Sequence, residues 1–176
     1  MKDLSIAAQR LWPLGAVTVD PRLRLPARWM VQGGPRTFFR GVGVLARLGG
    51  NFPLYEIHAY NRHLSEFTEP GWEACYRRIA RIMNDEPEVR GLYGGTWFFD
   101  PELERVSPRL TYLRRLPIKN GAMFARIPST PDTYTNALQK SATRRQLYAA
   151  GQYEPRQYIM VWPRRSFLRW ARTGSE

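Results

Sequence analysis

The sequence predicts an α/β or α+β domain with a mixed, partly parallel sheet of four to six strands and helices on both faces. Two observations predict this architecture. From residue 52 onward, stretches rich in aromatic and β-branched residues alternate with stretches of helical periodicity, an order typical of βαβ units. The chain of 176 residues, 43% of them hydrophobic and 13% aromatic, also has enough apolar surface to bury a core.

Five stretches have the composition of strands. They are LGAVTV (14–19), FPLYEIHAY (52–60), VRGLYGGTWFFD (89–100), AMFARIP (122–128) and RQYIMVW (156–162). Residues 21–50 are rich in proline and glycine. Three interpretations of this stretch stay open: a loop, an interfacial helix or an arm that binds a partner. We expect residues 1–50 to form a basic N-terminal segment that packs as one unit with an α/β domain of residues 51–176.

A helix is predicted between residues 68 and 87, because apolar side chains recur at steps of four, three and four and form one face. The residues of this face are Trp72, Tyr76, Ile79 and Met83. Thr68 is suited to cap the helix, Glu69 suits its positive first turn, and Pro87 follows its end.

Proline marks three further helix starts, since it lacks the amide donor that the first turn of a helix leaves unused. The three pairs are Asp100-Pro101, Ser107-Pro108 and Thr130-Pro131. The last pair begins a predicted helix near 131–149, which ends before Gly151. A short arginine-rich helix is expected at about 163–172.

The net charge of +12 is concentrated at the two ends of the chain. Residues 1–50 carry eight basic and two acidic side chains, residues 51–110 seven and ten, and residues 111–176 twelve and three. Such a positive field attracts nucleic acid, anionic lipid or a phosphorylated small molecule. Arginine supplies 24 of the 27 basic residues, and a solvated surface without a partner explains the charge equally well.

The single cysteine, Cys75, excludes an internal disulfide and a cysteine-rich metal site. It lies on the apolar side of the helix predicted between residues 68 and 87, so we expect it in the core. The first thirty residues do not resemble a secretory signal, and the chain has no run of about eighteen uncharged apolar residues. We therefore predict a cytoplasmic protein, with association at a membrane surface through residues 29–50 as an alternative.

The best site candidate lies where the predicted strands end. If residues 52–60 form a parallel strand, its carboxyl end and that of the next strand open onto one crevice, where open α/β sheets bind ligands. The candidate catalytic residues there are His58 and Asp100. The candidate substrate-binding residues are Tyr60, Asn61, Arg62, Thr96 and Trp97, and His63, Ser129 and Thr130 lie nearby in the chain.

General acid or base chemistry suits His58, because an imidazole titrates near neutral pH, and Glu56 or Asp100 is available to orient it. The alternative is a histidine that only bonds a backbone carbonyl at a strand end. A metal ion shared with His63 is not expected. A separation of five residues puts the two side chains on opposite faces of a strand and about 140° apart on a helix.

A phosphate-binding segment is predicted in RTFFRGVGVLARL, residues 36–48. The segment lacks the Walker and dinucleotide-binding glycine patterns. Arg40, Gly41 and Gly43 nevertheless precede an apolar stretch, so amides at a helix start would hold a phosphate beside guanidinium groups. A flexible or interfacial segment is the alternative.

Two stretches resemble parts of the GNAT acyltransferase superfamily. RGVGVLARL (40–48) is similar to the pyrophosphate loop and following helix of that family, and residues 91–127 resemble its later strand, its helix bearing a tyrosine and its returning strand. The resemblance implies that Tyr112 protonates the leaving thiolate, that the amides of Gly41 and Gly43 bind pyrophosphate, and that acyl-coenzyme A is a cosubstrate while no cofactor stays bound.

The leading interpretation is a small cytosolic enzyme that acts on an anionic, thioester- or phosphate-bearing substrate, with acyl transfer as the first choice. An arginine-rich module for nucleic acid is an alternative, because YIMVWPRRSFLRWAR (158–172) interleaves arginine with aromatic residues. A peripheral membrane protein is a third. The sequence predicts no oligomeric state.

Overall fold

A computed structural model describes residues 11–23, 34–50, 52–59 and 67–173 of the chain. The strands within these ranges are β1 (Trp12–Pro13), β2 (Val17–Leu23), β3 (Leu54–Ala59), β4 (Gly91–Thr96), β5 (Met123–Ile127) and β6 (Gln157–Pro163). The α-helices within them are α1 (Gly34–Leu48), α2 (Glu69–Asp85), α3 (Leu103–Val106), α4 (Tyr112–Lys119), α5 (Pro131–Leu138), α6 (Ala142–Ala149) and α7 (Arg164–Arg172).

The six strands of the described ranges form one sheet in the order β1-β2-β3-β4-β6-β5. β3 and β4 run parallel, with α2 in the connection between them, and the other neighbouring pairs are antiparallel. The predicted mixed, partly parallel sheet is confirmed. β1 and β2 also show that residues before position 51 contribute strands to the same sheet.

Helix α2 forms where its sequence predicts it. The side chain of Thr68 accepts a hydrogen bond of 3.2 Å from the amide of Gly71, Glu69 lies in the first turn, and the helix ends at Asp85. Its buried side chains are Trp72, Cys75, Tyr76, Ile79, Ala80 and Met83. They include the whole predicted apolar face, and Cys75 is in the core as expected.

Different helices cover the two faces of the sheet, because successive side chains on a strand point to opposite faces. One face packs with α2 and α7 through Tyr55, Leu92, Met160 and Trp162. The other packs with α1 through Leu54, Tyr93, Ile159 and Val161. Val44 and Leu48 are the buried residues that α1 contributes to the second face. The helices on both faces agree with the sequence prediction.

A third apolar cluster lies beyond the end of β4. The chain leaves β4 in a 3-10 turn, Trp97–Phe99, and the indole of Trp97 packs with residues from the segments that follow. The other buried members of this cluster are Leu103, Val106, Ala137 and Tyr153. The parts of the chain that contribute to this cluster thereby form a small lobe at the carboxyl end of β4.

Three helix predictions differ in detail from the structure. The single helix expected near 131–149 is two helices, because Ser141 begins a new one by accepting a hydrogen bond of 3.3 Å from the amide of Arg144. Ser107-Pro108 begins a 3-10 turn without a side-chain cap, and Asp100 bonds the amide of Glu102 just before α3. The Thr130-Pro131 start is a full capping box.

Residues 34–48, which the sequence left open between a loop, a helix and an arm, form α1. Gly34 and Pro35 begin this helix, as suits a proline in the first turn. Its exposed apolar side chains are Phe38, Phe39 and Val42. Within the described ranges, no helix is both long enough and apolar enough to cross a bilayer.

Candidate active site

The sheet opens between β3 and β4 at their carboxyl ends. The parallel register contains two pairs, Tyr55 with Leu92 and Glu56 with Tyr93, although β3 continues to Ala59 and β4 to Thr96. Each strand keeps its outer neighbour over this length, since Ala59 is paired with β2 and Thr96 with β6. The two strands therefore separate and leave a gap inside the sheet.

A cavity of about 500 Å³, called the cleft below, occupies this gap. The strand residues that line it are Ile57, His58 and Ala59 from β3 and Gly94, Gly95 and Thr96 from β4. Trp97 from the turn after β4 also lines the cleft. Three residues predicted from the sequence, His58, Thr96 and Trp97, are thus brought together, and the predicted parallel arrangement of their strands is the reason.

One wall of the cleft is aromatic. Phe67 lies against Trp72 of α2 with ring centroids 5.5 Å apart, and against Phe98 with centroids 5.2 Å apart. All three residues line the cleft. This wall suits an apolar part of a ligand, because rings held by one another offer a rigid surface.

The opposite wall is polar and comes from the start of α5. Thr130 and Thr133 form the capping box of that helix, and the hydroxyl of Thr133 donates a hydrogen bond to the side-chain oxygen of Gln157 on β6. Asn136 and Gln139 continue this wall along α5. A row of hydroxyl and amide groups can orient a polar ligand by hydrogen bonds. Thr130 was placed near the site from the sequence, and Ser129 instead bonds the carbonyl of Pro155.

His58 is the one imidazole among the described cleft residues. Its Nε2 atom lies 3.7 Å from Oε2 of Glu56, on the same face of β3, and about a third of its side chain is exposed (34%). Burial, followed by the negative charge of Asp20, raises the pKa of Glu56 above its usual range. The pair gives the cleft a group that can take and return a proton.

Three basic side chains line the far side of the cleft. Arg109 and Lys140 are exposed, whereas Arg144 is only 4% exposed. The guanidinium carbon of Arg144 lies 4.7 Å from the ring centroid of Trp97. Sequence reasoning missed this cluster. It depends on α6 folding back over the turn after β4, and no local pattern indicates that contact.

Asp100 lies beside the cleft without lining it. Its carboxylate accepts hydrogen bonds of 3.1 Å from the amides of Glu102 and Arg156, and its side chain is 1% exposed. Burial raises the pKa of Asp100, although the two amide bonds and Arg156 oppose the shift. In this position Asp100 fixes the turn that carries Trp97.

Tyr112 is buried in the main core, where α4 packs against the sheet, and it does not line the cleft. Its hydroxyl has no hydrogen-bond partner among the described residues. Burial, with a smaller contribution from the charge of Glu69, raises the pKa of Tyr112 to about 12. The predicted order of strand, helix bearing Tyr112 and returning strand is nevertheless present, as β4, α4 and β5.

The remaining predicted site residues are not brought to the cleft. Gly41 and Gly43 lie inside α1, which begins at Gly34, so their amides are beyond its first turn. The backbone of Arg40 belongs to the same helix. The other predicted residues, Tyr60, Asn61, Arg62 and His63, lie outside the described residues. Among the residues that the structure describes, no group of three or more histidine, cysteine, aspartate or glutamate side chains is arranged to hold a metal ion.

A second cavity, of about 580 Å³, lies at the opposite end of β4. We call it the arginine groove, because its lining includes Arg47, Arg90, Arg164, Arg165, Arg169 and Arg172. No acidic residue is among the described residues that line it. The arginine spacing in α7 is the signal that could have found it, since residues four and three positions apart share one helix face.

No protein-family model and no curated protein matches the chain. Among solved structures, it is similar to an acyltransferase in complex with decanoyl-CoA and teicoplanin, and to an acyltransferase in complex with CoA and 10C-teicoplanin. In both comparisons the TM-score is 0.45 and the sequence identity 14%. The matched region covers 88% of this chain and 47% of the other, so the chain spans about half the length of these proteins.

Proposed function

We propose that the protein is an acyltransferase that binds an acyl-coenzyme A donor and a small acceptor in the cleft. The observation that carries the proposal is the separation of β3 and β4, which opens a lined cavity inside the sheet beside His58. An extended ligand with amide groups can enter such a gap and bond strand backbone as an added strand does. The pantetheine part of coenzyme A is a ligand of this kind. The sequence resemblance to GNAT enzymes motivates this choice of donor.

The cleft contains the groups that acyl transfer needs. The acceptor nucleophile attacks the thioester carbonyl carbon, and its proton passes to the imidazole of His58. The tetrahedral intermediate then collapses, the carbon–sulfur bond breaks, and the imidazolium returns the proton to the leaving thiolate. His58 therefore serves as both base and acid, with Glu56 3.7 Å away to orient its ring.

Tyr112 has no step in this mechanism. A phenol whose pKa is about 12 is a weaker acid than the thiol it would protonate, since a free thiol has a pKa of about 8.5. The aromatic wall formed by Phe67, Trp72 and Phe98 suits an apolar acyl chain, and the polar wall of α5 suits the acceptor.

Calorimetry with coenzyme A and with pantetheine tests the donor. We expect coenzyme A to bind with a dissociation constant in the range of about 1 µM to 1 mM, as is typical of enzyme substrates. Pantetheine should bind more weakly at the same site, because it keeps the amides and lacks the phosphates. Absence of both heat and a thermal shift with coenzyme A would exclude this donor.

Nucleic-acid binding is a second candidate function, and the arginine groove favours it. Arg165, Arg169 and Arg172 are exposed along one face of α7, and none has a hydrogen bond or an ion pair with another described residue. Such a row suits the phosphates of a single strand. Binding that does not weaken steeply with salt would argue against it.

A bilayer surface is the other polyanion to test, because Phe38, Phe39 and Val42 of α1 are exposed. Co-flotation with vesicles that contain anionic lipid would assign the basic surface to membranes. Binding to single-stranded DNA without flotation would assign it to nucleic acid.

A further inference from the structure

We propose that Arg144, with Arg109 beside it, binds an oxyanion of the acyl acceptor, a carboxylate or a phosphate, at the far side of the cleft. The proposal deepens the proposed function and rests on it for the word acceptor, whereas the binding of an anion there depends on the geometry alone. The alternative is that Arg144 has only a structural role, in which its hydrogen bonds to Ala137 and Ser107 hold two parts of the chain together.

The hydrogen bonds of Arg144 leave most of its donors without an acceptor. Nε donates to the carbonyl oxygen of Ala137 at 2.6 Å, and Nη1 donates to the hydroxyl of Ser107 at 2.8 Å. A guanidinium group has five N–H donors, so three have no acceptor among the described residues. Arg144 lines the cleft, and none of its atoms is among the fully enclosed unpaired atoms of the described residues, so these donors are accessible to a ligand in the cleft.

No carboxylate of the described residues forms an ion pair with Arg144. Burial lowers the pKa of Arg144, the hydroxyl of Tyr153 opposes the shift, and the positive charge of Arg109 lowers the pKa further. The cleft contributes one carboxylate on this side, from the exposed Asp132. A largely buried guanidinium without an anion is unfavourable, and an anionic ligand would remove that cost.

Two partly buried arginines, Arg164 and Arg114, show what a structural role looks like in this fold. Arg164 donates to the carbonyl oxygens of Met83, Asn84, Glu86 and Val89 and thereby caps α2. Arg114 donates to the carbonyl of Phe99; burial lowers its pKa, and Tyr158, Asp100 and Glu104 oppose the shift. Arg144 has neither the four carbonyl acceptors of Arg164 nor the nearby carboxylates of Arg114, and unlike Arg114 it lines a cavity.

The position of Arg144 also suits recognition. Its guanidinium lies over the ring of Trp97, and its bonds to Ala137 and Ser107 fix the orientation of the group. A fixed, planar guanidinium can bind a carboxylate or phosphate with two parallel hydrogen bonds. Arg109 adds a second positive charge to the lining of the cleft, and Lys140 adds a third.

Titrations of the full chain with inorganic phosphate and with acetate, followed by the Nε–Hε signals of arginine in NMR spectra, test the site without any donor. We expect one signal, assigned to Arg144 by its absence in Arg144→Lys, to shift to saturation. The indole N–H signal of Trp97, whose ring lies against the guanidinium, reports binding in every variant. The dissociation constant should rise about tenfold in Arg144→Lys, which keeps the charge and loses the planar pair of donors, and about threefold in Arg109→Ala, which changes an exposed residue. Arg145→Ala, next to Arg144 but outside the cleft, is the matched control, and Arg169→Ala reports binding in the arginine groove.

Each outcome decides a part of the proposal. Saturable shifts that both cleft variants weaken support the anion site, whether or not acyl transfer is found. Shifts that are absent, or that only Arg169→Ala changes, overturn it. Once transfer is detected, Arg109→Ala should raise KM for a carboxylate-bearing acceptor and leave KM for its amide unchanged. An equal loss of coenzyme A affinity in Arg109→Ala would assign the site to the donor and overturn the acceptor assignment.

Discussion

The two ends of β4 open onto cavities of similar size and very different chemistry. The cleft at the carboxyl end combines an imidazole, hydroxyls, amides, an aromatic wall and charges of both signs. The lining of the arginine groove at the amino end includes six arginines. Uniform charge attracts any polyanion and orients none, whereas mixed groups at fixed positions hold a small molecule in one pose. We therefore propose a small-molecule site at the carboxyl end of β4 and a polyanion site at its amino end.

The backbone differs between the two ends as well. At Gly91 the chain is tightly packed, because a Cβ atom there would meet the carbonyl oxygen of Trp162 on β6. At Gly95, beside the cleft, a Cβ atom would have no neighbour closer than 3.8 Å. β4 is thus packed tightly against backbone at Gly91 and has space for a Cβ atom at Gly95, while Gly94 before it lies close to the side chain of Ile57.

Removal of the imidazole from the cleft should have the largest effect. His58→Ala should lower acyl transfer by about 10²–10⁴-fold, the usual contribution of a general acid–base group. Turnover is measured by the release of free thiol from acyl-coenzyme A, with Arg145→Ala as the control. Unchanged turnover would remove His58 from the mechanism. Nucleic-acid affinity should be the same in both variants, because the arginine groove lies at the other end of β4.

Glycine-to-alanine substitutions along β4 test how tightly each position is packed. Gly91→Ala should lower the free energy of unfolding by about 2–4 kcal/mol, because the clash is with backbone that cannot move without breaking the β4–β6 ladder. Gly94→Ala should cost about 1–2 kcal/mol, since its Cβ atom would lie 2.9 Å from Cγ1 of Ile57, a movable side chain.

Gly95→Ala is the matched control, with an expected change below about 0.5 kcal/mol. Urea denaturation with an unchanged m-value measures all three. A larger loss of stability in Gly95→Ala than in Gly91→Ala would contradict this difference in packing between the two positions.

Neutralising α7 should affect only the arginine groove. The triple change Arg165→Ala, Arg169→Ala and Arg172→Ala should weaken binding of single-stranded DNA about a hundredfold at low salt. It should also reduce the slope of log affinity against log salt by about two. Three exposed arginines elsewhere give a charge-matched control: Arg115, Arg126 and Arg145. Equal losses in the two triple variants would show that net charge, and not the groove, binds the polymer.

The smallest expected effect concerns Glu56. Its folded pKa is raised, so the folded state binds a proton more tightly than the unfolded chain, and stability rises as pH falls from the raised value toward the ordinary value of 4.5. Glu56→Gln should remove this dependence and, at pH 7, raise the free energy of unfolding by less than about 1 kcal/mol. Thermal unfolding at several pH values measures it. A variant that loses stability at pH 7 would contradict the direction.

The sequence predicted the elements that carry strong local signals. The apolar face of α2 and the capping box at Thr130 are local patterns, and the alternation of strand and helix implied that β3 and β4 are parallel. The cleft followed from that inference, because parallel strands bring their carboxyl ends together. His58, Thr96 and Trp97 therefore reached the same cavity without any recognised motif.

The residues that were missed depend on contacts between distant parts of the chain. Arg144 bonds Ser107, 37 positions earlier, and stacks on Trp97, and no spacing rule links these residues. The sequence predicts a helix start near Gly41 and Gly43, whereas α1 begins at Gly34-Pro35, which is itself a helix-start signal. Asp100, predicted as a catalytic group because it follows a strand, bonds two amides and does not line the cleft, and its catalytic role stays a prediction.

The two-pair junction between β3 and β4 makes the sheet, in effect, two three-stranded halves joined by a narrow seam. The buried face of α2 spans that seam, since it packs on Tyr55 of one half and Leu92 of the other. A molecule bound in the gap would contact both halves and hold them together. Resistance to heat should therefore rise with ligand concentration, and melting temperature becomes a direct gauge of occupancy in a search for the natural substrates.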